Sequence, residues 1–141
     1  MDEKMLRTFE ESLQRCTAVP HFLDLFYAKF LGSSPKVREK FAKTDFVRQK
    51  QALRASFDTL LAAAKDGEGG PEKHLGRLAE RHGSRQLGVG AELYDLWLDS
   101  LLATVKECDP EFSASVETAW EDVMTVGIRY LCSRFNSATG A

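Results

Sequence analysis

Three histidines occur in the 141-residue chain, at His21, His74 and His82, and their positions are not equivalent. In the stretch "LGRLAERHG", at about 100° per residue, His82 stacks over Leu75 and lies near Leu78 and Ala79, whereas His74 falls well off that face. An imidazole on an apolar helix face is either a core side chain bonded to backbone or a group placed to hold something. A lone histidine cannot build a structural zinc site, which takes four protein ligands.

Two polar residues elsewhere border apolar surfaces. Tyr27 lies in the run "LFYAKFL", where a buried phenol without a partner is costly. Gln49 precedes Leu53 by four residues and sits within about 40° of the face shared by Phe46, Leu53 and Phe57. Taken singly, Gln49 reads as a solvated amide and Tyr27 as a core tyrosine bonded to backbone. Together with His82 they suit a different chemistry. One histidine suffices as the sole protein ligand of a haem iron, because the porphyrin supplies four nitrogens, and a phenol and an amide can both donate hydrogen bonds to a bound diatomic.

The elements that must position these residues are helical throughout, and no alternating strand pattern competes with the helical period. Met5, Leu6, Phe9, Leu13 and Cys16 mark a first helix that should stop before Pro20. Pro20 suits the first turn of a second helix carrying "HFLDLFYAKFL". After Gly32, Ser33, Ser34 and Pro35, the segment "PKVREKF" reads as a short helix ending at Phe41. A long helix follows from Phe46 to Ala64, then the polar loop "KDGEGGP", then a short helix closed at Gly83. Two long helices end the chain. One carries Leu93, Tyr94, Trp97, Leu98, Leu101, Leu102 and Val105 and stops near Asp109 and Pro110; the other runs from Val116 to Phe135, and residues 135–141 are expected to fray. Trp97 and Trp120 are read as core packing.

Bulk properties narrow the function. The length fits one domain, residues 1–141, and 43% hydrophobic residues can build a core without disulfides. With 19 basic and 21 acidic residues the net charge is −2, and the absence of a long basic block argues against nucleic acid. No apolar run approaches a membrane span, and the charged "MDEKMLRTFEESLQRC" is no signal peptide, so a cytoplasmic protein is expected. Cys16, Cys108 and Cys132 are too widely spaced for a metal knuckle and read as free thiols.

The pieces "FYAKFLGSSPKVREKF", "QKQAL", "LAERH", a following "Y" and "LL", and "AW" in the last helix occur in the order found in bacterial single-domain globins. The chain resembles those proteins, and is similar to the globin part of flavohaemoglobins and to small bacterial haemoglobins. The resemblance implies a helical sandwich around one haem b (iron protoporphyrin IX), which reversibly binds O2, and also NO or CO. It implies oxygen binding or transport rather than covalent catalysis by the chain. His82 becomes the proximal iron ligand, Phe41 the ring wedged against the porphyrin, Tyr27 and Gln49 the ligand-facing donors, and Leu53 the apolar residue one turn later. Without a two-residue gap in the match, Gln51 takes the place of Gln49.

The same resemblance puts Phe46, Leu78, Tyr94 and Leu98 against the cofactor, with the Leu78 carbonyl fixing the His82 tautomer. Arg85 and Val89 fall in a loop, "GSRQLGVGAEL", that is longer than in flavohaemoglobins and should pass the haem edge. Where those proteins carry a late glutamate that polarises the proximal histidine, this chain has Phe135, which weakens the case for peroxidase-like or NO-dioxygenase chemistry. An NO dioxygenase would also require a separate reductase. A gas sensor acting through a partner surface is the remaining alternative implied by the fold.

Overall fold

The computed structural model describes residues 2–66 and 91–140, with side chains through Ile128 in the last helix. Among the described residues there are six helices: α1 (Glu3–Thr17), α2 (Phe22–Ser33), α3 (Pro35–Lys40), α4 (Phe46–Lys65), α5 (Ala91–Cys108) and α6 (Ala114–Gly140). No strand occurs among the described residues, and none of their helices is long and apolar enough to cross a membrane.

Local chemistry explains the boundaries. The Asp2 carboxylate accepts from the Lys4 and Met5 amides at 2.7 and 3.1 Å and opens α1. Ser34 accepts from the Lys36 amide, with Pro35 at the first position of α3. Asp45 accepts from the Val47 and Arg48 amides at 3.0 and 3.4 Å, so α4 starts at Phe46.

One boundary differs from the sequence reading. Pro20 lies in the turn before α2 rather than inside it, because the Val19 amide bonds the Cys16 carbonyl and the Phe22 amide bonds the Val19 carbonyl. These bonds close the joint first and leave His21 as the residue before the helix. The last helix continues to Gly140. No proline follows Pro110, and a helix already formed adds each further residue at little cost.

In the packing, α2 rests mainly on α5 and α3, while α6 lies against α1, α4 and α5. The fully buried Trp120 of α6 joins three partners. Its ring centroid is 4.8 Å from Phe9 of α1, 5.6 Å from Phe57 of α4 and 6.4 Å from Phe22 of α2, and tilted and edge-on ring contacts of this kind add to the area buried.

Trp120 is also held by a polar chain. Its Nε1 donates to Ser12 Oγ at 2.9 Å, and Ser12 Oγ donates to Asp109 Oδ2 at 2.6 Å. Arg15 donates to the same carboxylate through Nε and Nη2 at 2.7 and 3.0 Å, and the Glu111 amide donates at 2.8 Å. Burial alone would raise the Asp109 pKa, but the donors from Arg15, Ser12 and Glu111 outweigh it and hold the group below its ordinary 3.8. Beside it, burial and the Asp109 charge push the Cys16 thiol up to about 12, so it stays protonated and unreactive. Cys108 is a half-buried free thiol.

Because Asp109 is fully buried at its side chain and Arg15 is 26% exposed there, cutting the pair leaves a charged group short of partners. Asp109→Ala is expected to cost about 3 kcal/mol in urea unfolding at pH 7. The sign with pH follows from the lowered value: the stabilisation is fully present above pH 3.8 and is lost as pH falls through the lower folded-state pKa. The gap between wild type and variant should therefore narrow below that point; a gap constant down to the acid limit would contradict this role.

Candidate functional site

The residues expected to do chemistry gather on α2 and α4. Phe22, Phe26 and Phe30 repeat every four residues along α2 and are buried, and Tyr27 adjoins this stripe at 4% exposure. The Tyr27 ring lies 5.3 Å from Phe46, 6.4 Å from Phe41 and 4.9 Å from Phe26. Phe41 also meets Phe30 at 5.6 Å and Phe46 at 6.3 Å, while Phe26 meets Trp97 of α5 at 6.0 Å. A phenol thus sits inside an aromatic wall drawn from α2, the turn after α3, α4 and α5.

A polar group of α4 answers it. Burial pushes the Tyr27 phenol up to about 12, and the Gln49 side-chain amide, placed to donate to the phenolic oxygen, opposes that rise. Tyr27 therefore remains a protonated donor across the physiological range. Gln49 is half-buried while Gln51 is exposed, so of the two glutamines weighed from the sequence it is Gln49 that stands with Tyr27. Leu53 is buried one turn further along α4 at 7% exposure.

Several large apolar side chains around this wall still have surface uncovered. Phe41, Phe46, Leu93, Leu96, Trp97, Leu98 and Leu102 pack on the core yet are only partly buried, and Tyr94 on α5 is likewise partly exposed. Apolar area left in this way suits a broad, flat apolar group. A porphyrin fits that requirement. Among the described residues no three metal-ligating side chains cluster, so they offer no protein-only metal centre.

His82, Leu78, Arg85 and Val89 lie outside the described residues. Of the expected site residues, the structure brings together Tyr27, Gln49, Phe41 and Phe46, and places Leu53 on the same helix as Gln49 and Leu98 and Tyr94 on α5. Sequence reasoning did not find Lys50. It lies at helical spacing between Phe46 and Leu53 and pairs with Asp24 of α2. A lysine within an apolar stripe was the available signal.

Comparison with known proteins agrees with this architecture. A globin family model matches residues 24–130. A solved structure from Pseudomonas aeruginosa PAO1, described as structurally highly homologous to a human hemoglobin, is 40% identical, covers 93% of this chain and 98% of its own, and superposes with a TM-score of 0.86. No curated protein sequence gives a significant match. With the family match extending over most of its length and a solved relative of the same all-helical architecture, the chain belongs to the globin family.

Proposed function

We propose that this globin holds haem b non-covalently and binds O2 reversibly, and NO and CO with it, in a pocket whose donors are Tyr27 and Gln49. The observation that carries the reading is the buried Tyr27 phenol beside the Gln49 side chain, set among Phe41 and Phe46. When bound, haem would supply an iron able to take a diatomic gas as a ligand. His82 is the residue assigned to hold that iron, from its place in "LAERH". None of the three cysteines lies in a CxxCH attachment motif, which supports the non-covalent b type.

Each side chain then has a task. Tyr27 would donate a hydrogen bond to the bound gas, and Gln49 would steady the phenol and offer a second donor. Leu53 and the ring edges of Phe41 and Phe46 exclude water, which would otherwise compete for those donors. Phe41 and Phe46, already in edge contact with Tyr27, hold the phenol in one orientation before the gas arrives.

Absorbance spectra of the purified protein, oxidised, reduced, and reduced under CO, should show a haem band that shifts with the gas; its absence after reconstitution would end the reading. His82→Ala should lose most of its haem, and equal haem content would remove His82 as ligand. Tyr27→Phe should speed O2 dissociation about tenfold or more in stopped flow, the loss of one charge-assisted hydrogen bond.

The raised Tyr27 pKa adds a sign. The phenol keeps its proton until pH approaches about 12, so the Tyr27 contribution to O2 retention should be flat across neutral pH. The ratio of variant to wild-type dissociation rates is expected to stay constant from about pH 6 to about pH 9, well below even an ordinary tyrosine pKa. A ratio that collapses within that interval would show that another group is the donor.

A further inference from the structure

Lys50 breaks the apolar stripe of α4. Phe46 precedes it by four residues, and Leu53 and Phe57 follow by three and seven, so the helical period calls for an apolar side chain at that place. The lysine side chain is 35% exposed, and its ammonium pairs with the Asp24 carboxylate of α2, itself 58% exposed. Among the described residues this is the only ion pair joining α2 to α4.

Its neighbours give the pair a location. On one side α2 and α4 meet through Phe22 and Phe57 at 6.4 Å, and on the other through Tyr27 and Phe46 at 5.3 Å. Asp24 stands one turn before Tyr27, and Lys50 follows Gln49 directly. The backbones of α2 and α4 pack mainly against other helices, α5 and α6 respectively, so their mutual spacing falls to these side chains. A leucine or methionine at position 50 would close the stripe permanently. A half-exposed ion pair can part without stranding a buried charge, because both heads reach water.

We propose that Asp24 and Lys50 form a positioning clasp that sets the opening between α2 and α4 over Tyr27 and Gln49, and so governs passage of a small neutral ligand to those two groups. The gas-passage part rests on the function proposed above; the clasp itself does not. A half-exposed pair weakens as salt rises. A neutral gas carries no charge for salt to screen, so a salt-dependent rate for such a ligand reports the electrostatics of the protein's own opening.

The test compares the haem-loaded full chain, Lys50→Met, Asp24→Asn and the exchanged pair Asp24→Lys with Lys50→Asp. CO rebinding after photolysis is measured at ~20 mM and ~500 mM sodium chloride, where the screening length falls severalfold. Wild type should rebind about two- to fivefold faster at high salt, as the loss of one such ion pair allows. Both single variants should lose the salt dependence, and the exchanged pair should regain it. Hydrogen–deuterium exchange of peptides spanning residues 46–53, read on the protein as purified, supplies an independent measure. Salt should speed exchange there in wild type and not in Lys50→Met.

Salt-invariant exchange in wild type, or a salt effect retained in both single variants, would overturn the clasp. Salt-dependent exchange with salt-invariant rebinding would overturn its control of ligand passage. A chain that takes up no haem would defeat the proposed function while the exchange measurement still decided the clasp.

Discussion

A buried carboxylate is the constraint from which the rest of the packing follows. Asp109 directly follows α5, and its side chain has no access to water, so it is tolerable only where donors surround it. Ser12 and Arg15 of α1 and the Glu111 amide supply them. Ser12 in turn accepts from the Trp120 indole, which fixes how deeply that ring enters the core and which way it faces. Phe9, Phe22 and Phe57 pack on the ring so oriented, and α1, α2 and α4 take their places around it.

The consequence for function runs through α2. Phe22, at its start, belongs to the Trp120 core, while Phe26, Tyr27 and Phe30 belong to the aromatic wall that contains the phenol. One helix thus carries the orientation set at Trp120 to the place where Tyr27 sits. The wall itself is less closed: Phe41, Phe46 and the apolar side chains of α5 remain partly uncovered. A well-filled core beside an incompletely covered apolar wall is the division of labour expected of a fold that must itself be stable and still admit a large flat cofactor.

Charge is used sparingly in this region, and in two ways. At Asp109 the pair with Arg15 is shielded, and breaking it leaves an unpaired buried group. At Lys50 and Asp24 the pair is half in water and can part at small cost. The first arrangement makes a joint permanent. The second suits a joint that opens.

Much of this molecule was legible in local sequence. Pro35 opened the segment read as a short helix, the apolar run "HFLDLFYAKFL" marked the second helix, and the four-residue step from Gln49 to Leu53 put an amide beside an apolar wall. These features depend on neighbours within a turn or two, where the helical period alone determines which side chains share a face. Tertiary structure decided what depends on residues far apart in the chain. Asp109 looked like a helix end until Ser12, 97 residues away, was seen to bond it. Gln49 and Gln51 differ by two positions on one helix; the helical face favours the first in the sequence, and the structure adds the approach of Tyr27 from α2. Lys50 drew no reading from the sequence, and only Asp24 across the gap supplies its partner. Periodicity specifies the face a side chain occupies, but not which distant element that face will meet.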